Sequence, residues 1–295
     1  MNTVAPEHAG HSRTRRFMQF PLTRIVIAAA SMIAVVLLLQ IVASVIHFKP
    51  SAGLGVLVAV LLTTSALIAT YVAYVRLIER RQASELAMKR AVPEFAVGFL
   101  LGGILFGLTM LILWMSGVAT VGRGVGWAAA WMQLLSALEL GVLQAIFFYG
   151  ILFRIVEGSL GTWLALVLAI FVVGAAHAAS PGASLISEAT IGVEAGALWT
   201  SVYVYSRSLW PVIGLLTAWN FVEGGVFGVS TPGHTESGLL ATRFHGPQIL
   251  TGGVAGPEVT IVALLVCIAV AIALFVPASR KGSIINAFWH KAEVQ

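Results

Sequence analysis

The sequence is poor in charge, in aspartate and in cysteine. Only 10% of its 295 residues are charged, whereas a soluble domain usually carries about a quarter. All twelve acidic residues are Glu, and the single cysteine, Cys267, excludes a disulfide framework and a zinc site built from cysteines. With 59% hydrophobic residues and a mean hydropathy of +0.95, the chain has too little polar surface to cover a water-soluble globule.

Eight apolar stretches are each long enough for a membrane-spanning helix, which needs about 20 mostly apolar residues. The sequence therefore predicts one all-α, polytopic membrane helix bundle with about eight transmembrane helices. The stretches cover residues 25–46, 52–75, 94–116, 130–153, 160–179, 189–206, 209–228 and 259–278.

The basic residues indicate how this bundle is oriented. With the N-terminus inside, only Lys49, Arg123 and Arg243 of the 17 Lys and Arg residues fall outside, and cytoplasmic loops carry the excess of basic residues. We therefore predict an integral, multi-pass protein of a prokaryotic cell inner membrane with both termini cytoplasmic. The net charge of +5 follows from this topology, so we expect the lipid bilayer as a partner and no nucleic acid.

The predicted organisation has four parts. Residues 1–22 form a basic cytoplasmic arm, and residues 23–93 hold two spans with a basic cytoplasmic connection. Residues 94–278 form the main intramembrane domain, and residues 279–295 form a cytoplasmic tail. The connection at 76–92 has helical spacing, so we expect it to extend the second span along the inner surface.

Two local spacings predict side-chain and helix contacts. Gly98, Gly102 and the glycines around them form GxxxG patterns in the third span, which permit close helix contact. We favour internal packing over a dimer interface for this surface. Arg154 and Glu157 are three residues apart at the end of the fourth span, so we expect them to form a structural ion pair.

Polar side chains within the predicted spans are the candidates for function, because an ionisable group there costs about 2.5–3.5 kcal/mol on insertion scales. Leu216, Asn220 and Glu223 fall at i, i+4 and i+7, so they share one helix face. His177 lies at the outer end of its span, where an interfacial histidine bonded to a backbone carbonyl is the alternative. The candidates are Glu139, Gln144, Tyr149, His177, Glu194, Asn220 and Glu223.

The stretch from Gln144 to Gly228 resembles the CPBP intramembrane proteases, the group that contains the CAAX prenyl endopeptidases and the bacterial Abi proteins. That family carries EExxxR in one span, FxxxH in the next, and HxxxN or HxxxD two spans later. The matching text is QAIFFYGILFRIVEGSLG, FVVGAAHAASPGA and SLWPVIGLLTAWNFVEGGVFG. The resemblance covers about residues 94–278. It implies peptide-bond hydrolysis in the membrane, with glutamate activating water, histidines polarising the substrate or binding a metal, and asparagine stabilising the oxyanion.

Most of the family's motif residues are substituted in this chain. The histidine of the second motif and the asparagine of the third are kept, as His177 and Asn220. The two glutamates are replaced by Gln144 and Ala145, the arginine by Tyr149, the phenylalanine by Val173 and the last histidine by Leu216. A glutamine cannot take a proton from water, and a leucine cannot ligate a metal. We expect Gln144, His177, Leu216 and Asn220 to line one internal cavity.

Three interpretations of function remain, and whether the protein is an enzyme stays open. We favour a degenerate protein of this family, a pseudoprotease that binds a peptide or prenylated chain without cutting it. The second is an active intramembrane endopeptidase in which Glu223 or Glu194 acts as base beside His177 and Asn220. We expect no cofactor and no metal, with zinc only under this second interpretation. The third is a proton- or ion-coupled transporter that uses Glu139, Glu194, Glu223 and His177.

Overall fold

The computed structural model describes residues 18–47, 53–178, 184–229 and 238–287. Within these ranges a helix occupies each of the eight predicted stretches, which confirms the all-α prediction of a polytopic bundle. The helices are α1 (Pro21–Val45), α2 (Leu54–Tyr74), α3 (Ala91–Met115), α4 (Trp127–Gln144), α5 (Thr162–Ala176), α6 (Leu185–Ser206), α7 (Trp210–Asn220) and α8 (Ile261–Arg280).

The number of helices that qualify as spans is smaller than predicted. In the described ranges, five segments are long and apolar enough to cross a membrane, and α5 is apolar but shorter. Helix α7 has only 11 residues, and Glu188 and Glu194 lower the hydropathy of α6, so neither helix qualifies by length and composition. The five segments are Pro21–Val45, Leu54–Glu79, Ser84–Met115, Trp127–Leu160 and Ile261–Arg280.

Helix α7 lies at the centre of the protein, with every residue from Trp210 to Trp219 buried. The glycines of α3 allow its backbone to approach. A Cβ placed on Gly98 would lie 1.9 Å from the carbonyl oxygen of Pro211, and one on Gly102 would lie 2.5 Å from that of Leu215. These contacts confirm internal packing for the pattern formed by Gly98 and Gly102.

Two helices change to π-helical geometry directly after positions of the family motifs. After Gln144, α4 continues as a π-helical segment at Ala145–Phe153 and an α-helical end at Arg154–Leu160. After Asn220, α7 continues as a π-helical segment at Phe221–Val226. Because π-helical turns are rare and occur frequently at functional sites, these two positions are candidates for a functional role.

An ion-pair network joins the helix ends on the side of the bundle predicted to be cytoplasmic. Arg154 pairs with Glu79 at 2.7 Å and donates to the carbonyl of Gly150, while Glu157 pairs with Arg207 at 2.5 Å. The predicted pair between Arg154 and Glu157 is therefore wrong. Helical side chains point toward the N-terminal end of their helix, so Arg154 reaches back toward the end of α2 and leaves Glu157 to Arg207.

The connection after α2 is less helical than the sequence suggested. A π-helical segment at Val75–Glu79 extends α2, and Arg80 then adopts a left-handed conformation with φ of 56°. Only short 3₁₀ turns follow, at Ser84–Leu86 and Met88–Arg90. The predicted helix over 76–92 is thus correct only to Glu79, because a left-handed residue ends a helix.

A two-stranded antiparallel sheet covers the other end of α3. Strand β1 (Ala119–Arg123) pairs with strand β2 (Leu240–Phe244), with Ala119 opposite Phe244 and Arg123 opposite Leu240. Neither strand was predicted, since the partners are far apart in sequence and β2 lies in the loop between the last two predicted spans. Residues 230–237 of that loop lie outside the described residues.

Candidate functional site

A small cavity lies where the end of α5 meets α6, α7 and the turn before α8. Its polar lining consists of His177, Glu194 and Glu258, with the indole of Trp219 beside them. The cavity offers about 20 Å³ for the centre of a water-sized sphere. By this measure one water needs roughly 10–15 Å³, so the space suits a single water molecule held by polar partners.

His177 is oriented toward this cavity by its own helix. It is the C-terminal cap of α5, and its Nδ1 lies 2.8 Å from the carbonyl oxygen of Val173. Since a carbonyl oxygen only accepts hydrogen bonds, Nδ1 carries a proton. Nε2 is then the ring nitrogen left free to interact with a ligand in the cavity.

Glu194 contributes a buried carboxyl group from the middle of α6. The residue is 3% exposed, and its Oε1 accepts a weak hydrogen bond from the Cys267 thiol of α8, with the sulfur at 3.4 Å. Its Oε2 is buried and has no hydrogen-bond partner in the described part of the chain. An unpartnered carboxyl oxygen next to a cavity marks a place for a water or a proton.

Glu258 was not selected from the sequence, because it precedes the last apolar stretch and so was not counted as a polar residue in a span. It lies in the 3₁₀ turn Pro257–Val259. Burial raises the pKa of the Glu258 carboxyl, while His177 and the hydrogen bond of Trp219 act in the opposite direction. The sequence signal that could have identified Glu258 is an acidic residue placed directly before a long apolar stretch.

The other residues of the predicted rearranged site are only partly brought together. Glu223 lies in the π-helical segment after α7, interacts electrostatically with Glu258, and has its Oε1 buried without a hydrogen-bond partner among the described residues. The amide of Asn220 donates to the carbonyl of Leu216 at 2.8 Å. Asn220 therefore bonds its own helix, and neither Asn220 nor Glu223 lines the cavity. Glu139, on α4, is half-buried and also lies outside the lining.

The substituted family positions lie within packed protein. Ala145, Tyr149 and Leu216 are each 0% exposed. The ring of Tyr149 packs against three aromatic rings, those of Phe153, Trp199 and Tyr203. Gln144 is partly buried, and its Oε1 has no hydrogen-bond partner within the described ranges. None of these four residues lines the cavity at His177.

The described residues do not form a metal site. Within residues 18–47, 53–178, 184–229 and 238–287, no group of three or more His, Cys or Glu side chains is arranged to hold a metal ion. A catalytic zinc usually needs three protein ligands. The side chains that line the cavity can donate and accept protons and hydrogen bonds.

A second, apolar crevice lies between α5 and the continuation of α4 after Gln144. It offers about 120 Å³ for the centre of a water-sized sphere and is lined by apolar side chains only. Leu168 and Val172 on its rim are 42% and 38% exposed. Val173 lines the crevice and also accepts the hydrogen bond of His177, so the two features adjoin. The full lining is Phe148, Leu152, Phe153, Val156, Ala165, Leu168, Ala169, Val172 and Val173.

Comparison with known proteins gives a family match for part of the chain. Residues 126–222 match the family model described as type II CAAX prenyl endopeptidase Rce1-like. The resemblance stated from the sequence motifs is thereby confirmed over this segment, about a third of the chain. No curated protein and no solved structure matches. The matched segment includes Gln144, His177 and Asn220 and ends before Glu223 and Glu258.

Proposed function

We propose that this integral membrane protein binds a prenylated or similarly apolar peptide chain and does not hydrolyse it at the motif positions of the CAAX endopeptidase family. The observation that carries the proposal is the complete burial of Ala145, Tyr149 and Leu216. Hydrolysis needs a base and a water at the scissile bond. Gln144 is not a base, and neither Ala145 nor Leu216 can replace one.

The apolar crevice supports the binding half of this proposal. It lies on the matched segment, borders His177 through Val173, and is lined by side chains without polar atoms. Its exposed rim faces the bilayer side of α5, so a prenyl chain enters from the lipid. Since lipid tails are as apolar as the crevice, affinity comes from packing rather than from hydrophobic transfer.

The test is binding of a fluorescent farnesylated peptide to the purified full-length protein in nanodiscs. We expect saturable binding and recovery of the intact peptide. Ala169→Phe fills the crevice from within and should weaken binding at least tenfold, which corresponds to about 1.4 kcal/mol. The matched control is Val167→Phe, because Val167 lies on the same helix, is 47% exposed and does not line the crevice. Equal loss in both variants, or no saturable binding, would contradict the proposal.

We propose a prokaryotic inner membrane as the location, with both termini cytoplasmic. The network end of the bundle carries Arg24, Arg81, Arg154 and Arg207. The sheet at the opposite end of α3 carries only Arg123 and Arg243 of the basic residues. This distribution supports the network end as the cytoplasmic side.

A second candidate function is hydrolysis from a rearranged site, and the cavity at His177 favours it. Glu258 or Glu194 beside His177, with space for one water, has the parts of a general-base site. The discriminating measurement is peptide cleavage in wild-type protein and in Glu258→Gln. Cleavage that disappears in the variant would support this candidate over a binding protein.

A further inference from the structure

Three glutamates from three separate elements interact with one another, and two of them line the cavity at His177. They are Glu194 of α6, Glu223 after α7 and Glu258 before α8, and we call them the carboxylate cluster. Glu194 interacts electrostatically with both of the others, and Glu223 interacts with Glu258. The three side chains therefore share one electrostatic environment.

The groups that face the carboxylate cluster include no permanent positive charge within the described residues. They are His177 at the end of α5, the indole N–H of Trp219 on α7 and the thiol of Cys267 on α8. Every ion pair of the described residues involves other glutamates. No Lys or Arg in the described ranges therefore pairs with Glu194, Glu223 or Glu258.

Three unpaired negative charges are not stable at a buried site. The effective cost of burying an ion is several kcal/mol, and it is recovered only by a well-placed partner. Neighbouring carboxylates add mutual repulsion, so such groups hold protons rather than ionise together. Glu194 shows the geometry expected of a proton carrier, because its Oε2 lies at the cavity without a described hydrogen-bond acceptor or donor.

We propose that the carboxylate cluster, together with His177, is a proton-binding site that holds at least one proton at neutral pH and exchanges it through the cavity. Nε2 of His177 is the neighbouring acceptor, because Nδ1 is occupied by the carbonyl of Val173. This site goes beyond the proposed binding of a peptide chain and requires no peptide. Two of its carboxyl groups, Glu223 and Glu258, lie outside the segment that matches the endopeptidase family.

The test is infrared spectroscopy of the full-length protein in proteoliposomes, titrated between about pH 5 and pH 9, a range that spans the ordinary carboxyl and imidazole pKa values. A protonated carboxyl group has a C=O stretch that is separate from the carboxylate bands. We expect this band at neutral pH in the wild type and its loss as the pH rises. Glu194→Gln and Glu258→Gln should each remove one carboxyl group's share of the band.

The matched control is Glu188→Gln. Glu188 lies on the same helix as Glu194, nearer its start, and does not line the cavity. This variant should keep the titrating band of the wild type. Thermal unfolding of each variant shows whether it is folded, and the wild-type titration stands even if a variant is not.

Two results would overturn the proposal. One is the absence of a protonated carboxyl band from the wild type at neutral pH, which would mean that the cluster is ionised. The other is a band that shrinks when K⁺ is replaced by Na⁺ at constant pH, which would identify a metal cation as the occupant. A band that is insensitive to Na⁺ and lost in the cluster variants supports the proton site.

Discussion

At the residue scale, two buried tyrosines of equal exposure differ in their hydrogen bonding. The hydroxyl of Tyr71 lies 3.0 Å from the carbonyl oxygen of Gly150 and within hydrogen-bonding distance of Glu85, so its single proton is shared between them. The hydroxyl of Tyr149, at the position of the family's arginine, has the Thr200 side chain as a polar neighbour but forms no well-aligned hydrogen bond in the described structure. Tyr71 therefore joins α2 to α4, whereas Tyr149 contributes mainly the packing of its ring.

Removing the two hydroxyls should change the free energy of unfolding by different amounts. We expect Tyr71→Phe to lower the free energy of unfolding by about 1–3 kcal/mol, because Glu85 and Gly150 lose a buried donor. Tyr149→Phe should change it by less than about 1 kcal/mol or raise it, because an unpaired polar atom leaves the interior. Thermal unfolding of the two variants in the same detergent measures this. A larger loss in Tyr149→Phe would show that its hydroxyl is paired after all.

Glu258 predicts a pH dependence of stability. Its pKa in the folded protein is raised by burial, so the folded state holds this proton more tightly than the unfolded state does. Between the unfolded and the folded pKa, stability must therefore fall as the pH rises. Glu258→Gln should flatten this part of the profile, measured as the Tm against pH above about 4.3, the ordinary pKa of a glutamate. An unchanged slope in the variant would assign the dependence to other groups.

At the scale of helices, the contact between α3 and α7 is fixed by glycines on one face of α3. Gly98 and Gly102 touch the backbone of α7, whereas Gly107 on the same helix has no atom within 4 Å of a built Cβ in the described structure. One helix thus provides both a sensitive glycine and a matched control. The same contact places Trp219 and Asn220 on a rigid central helix.

We predict that Gly98→Ala separates α3 from α7, because the new methyl group would overlap the carbonyl of Pro211. Overpacking of this kind costs about 1–3 kcal/mol. Gly107→Ala should be neutral or stabilising, since alanine is the better helix residue by up to about 1 kcal/mol. The measurement is the Tm of each variant in detergent. Similar Tm values for both variants would contradict the tight contact.

At the scale of the whole molecule, the ion-pair network and the two-stranded sheet mark the two ends of the bundle. Cysteine labelling tests their sides, because the native Cys267 is fully buried. A membrane-impermeant maleimide added to intact cells should label Val125→Cys, next to the sheet. It should not label Met88→Cys, in the connection after α2, until the cells are opened. Val125 and Met88 are 67% and 72% exposed, so access is not limited by burial. Labelling of Met88→Cys in intact cells would reverse the topology.

The sequence predicts the helices well because long apolar runs with basic ends have few alternative structures in a membrane. It also selects His177 and Glu194, which line the same cavity, since ionisable groups are rare in apolar segments. It does not predict partners that are distant along the chain: Arg207 for Glu157, β2 for β1, and Glu258 for His177. These contacts depend on how helices assemble, and spacing along one helix carries no information about them. The substituted motif positions were visible in the sequence, but their complete burial was not.

The most direct test of the central claim is mass spectrometry of a farnesylated peptide after incubation with purified wild-type protein in proteoliposomes. We predict that the peptide is recovered intact while it co-purifies with the protein, because Gln144, Ala145 and Leu216 stand at the positions where the similar family has its two glutamates and a histidine. Cleaved product from wild-type protein, absent in His177→Ala, would contradict this account and show that the cavity at His177 is a working hydrolytic site.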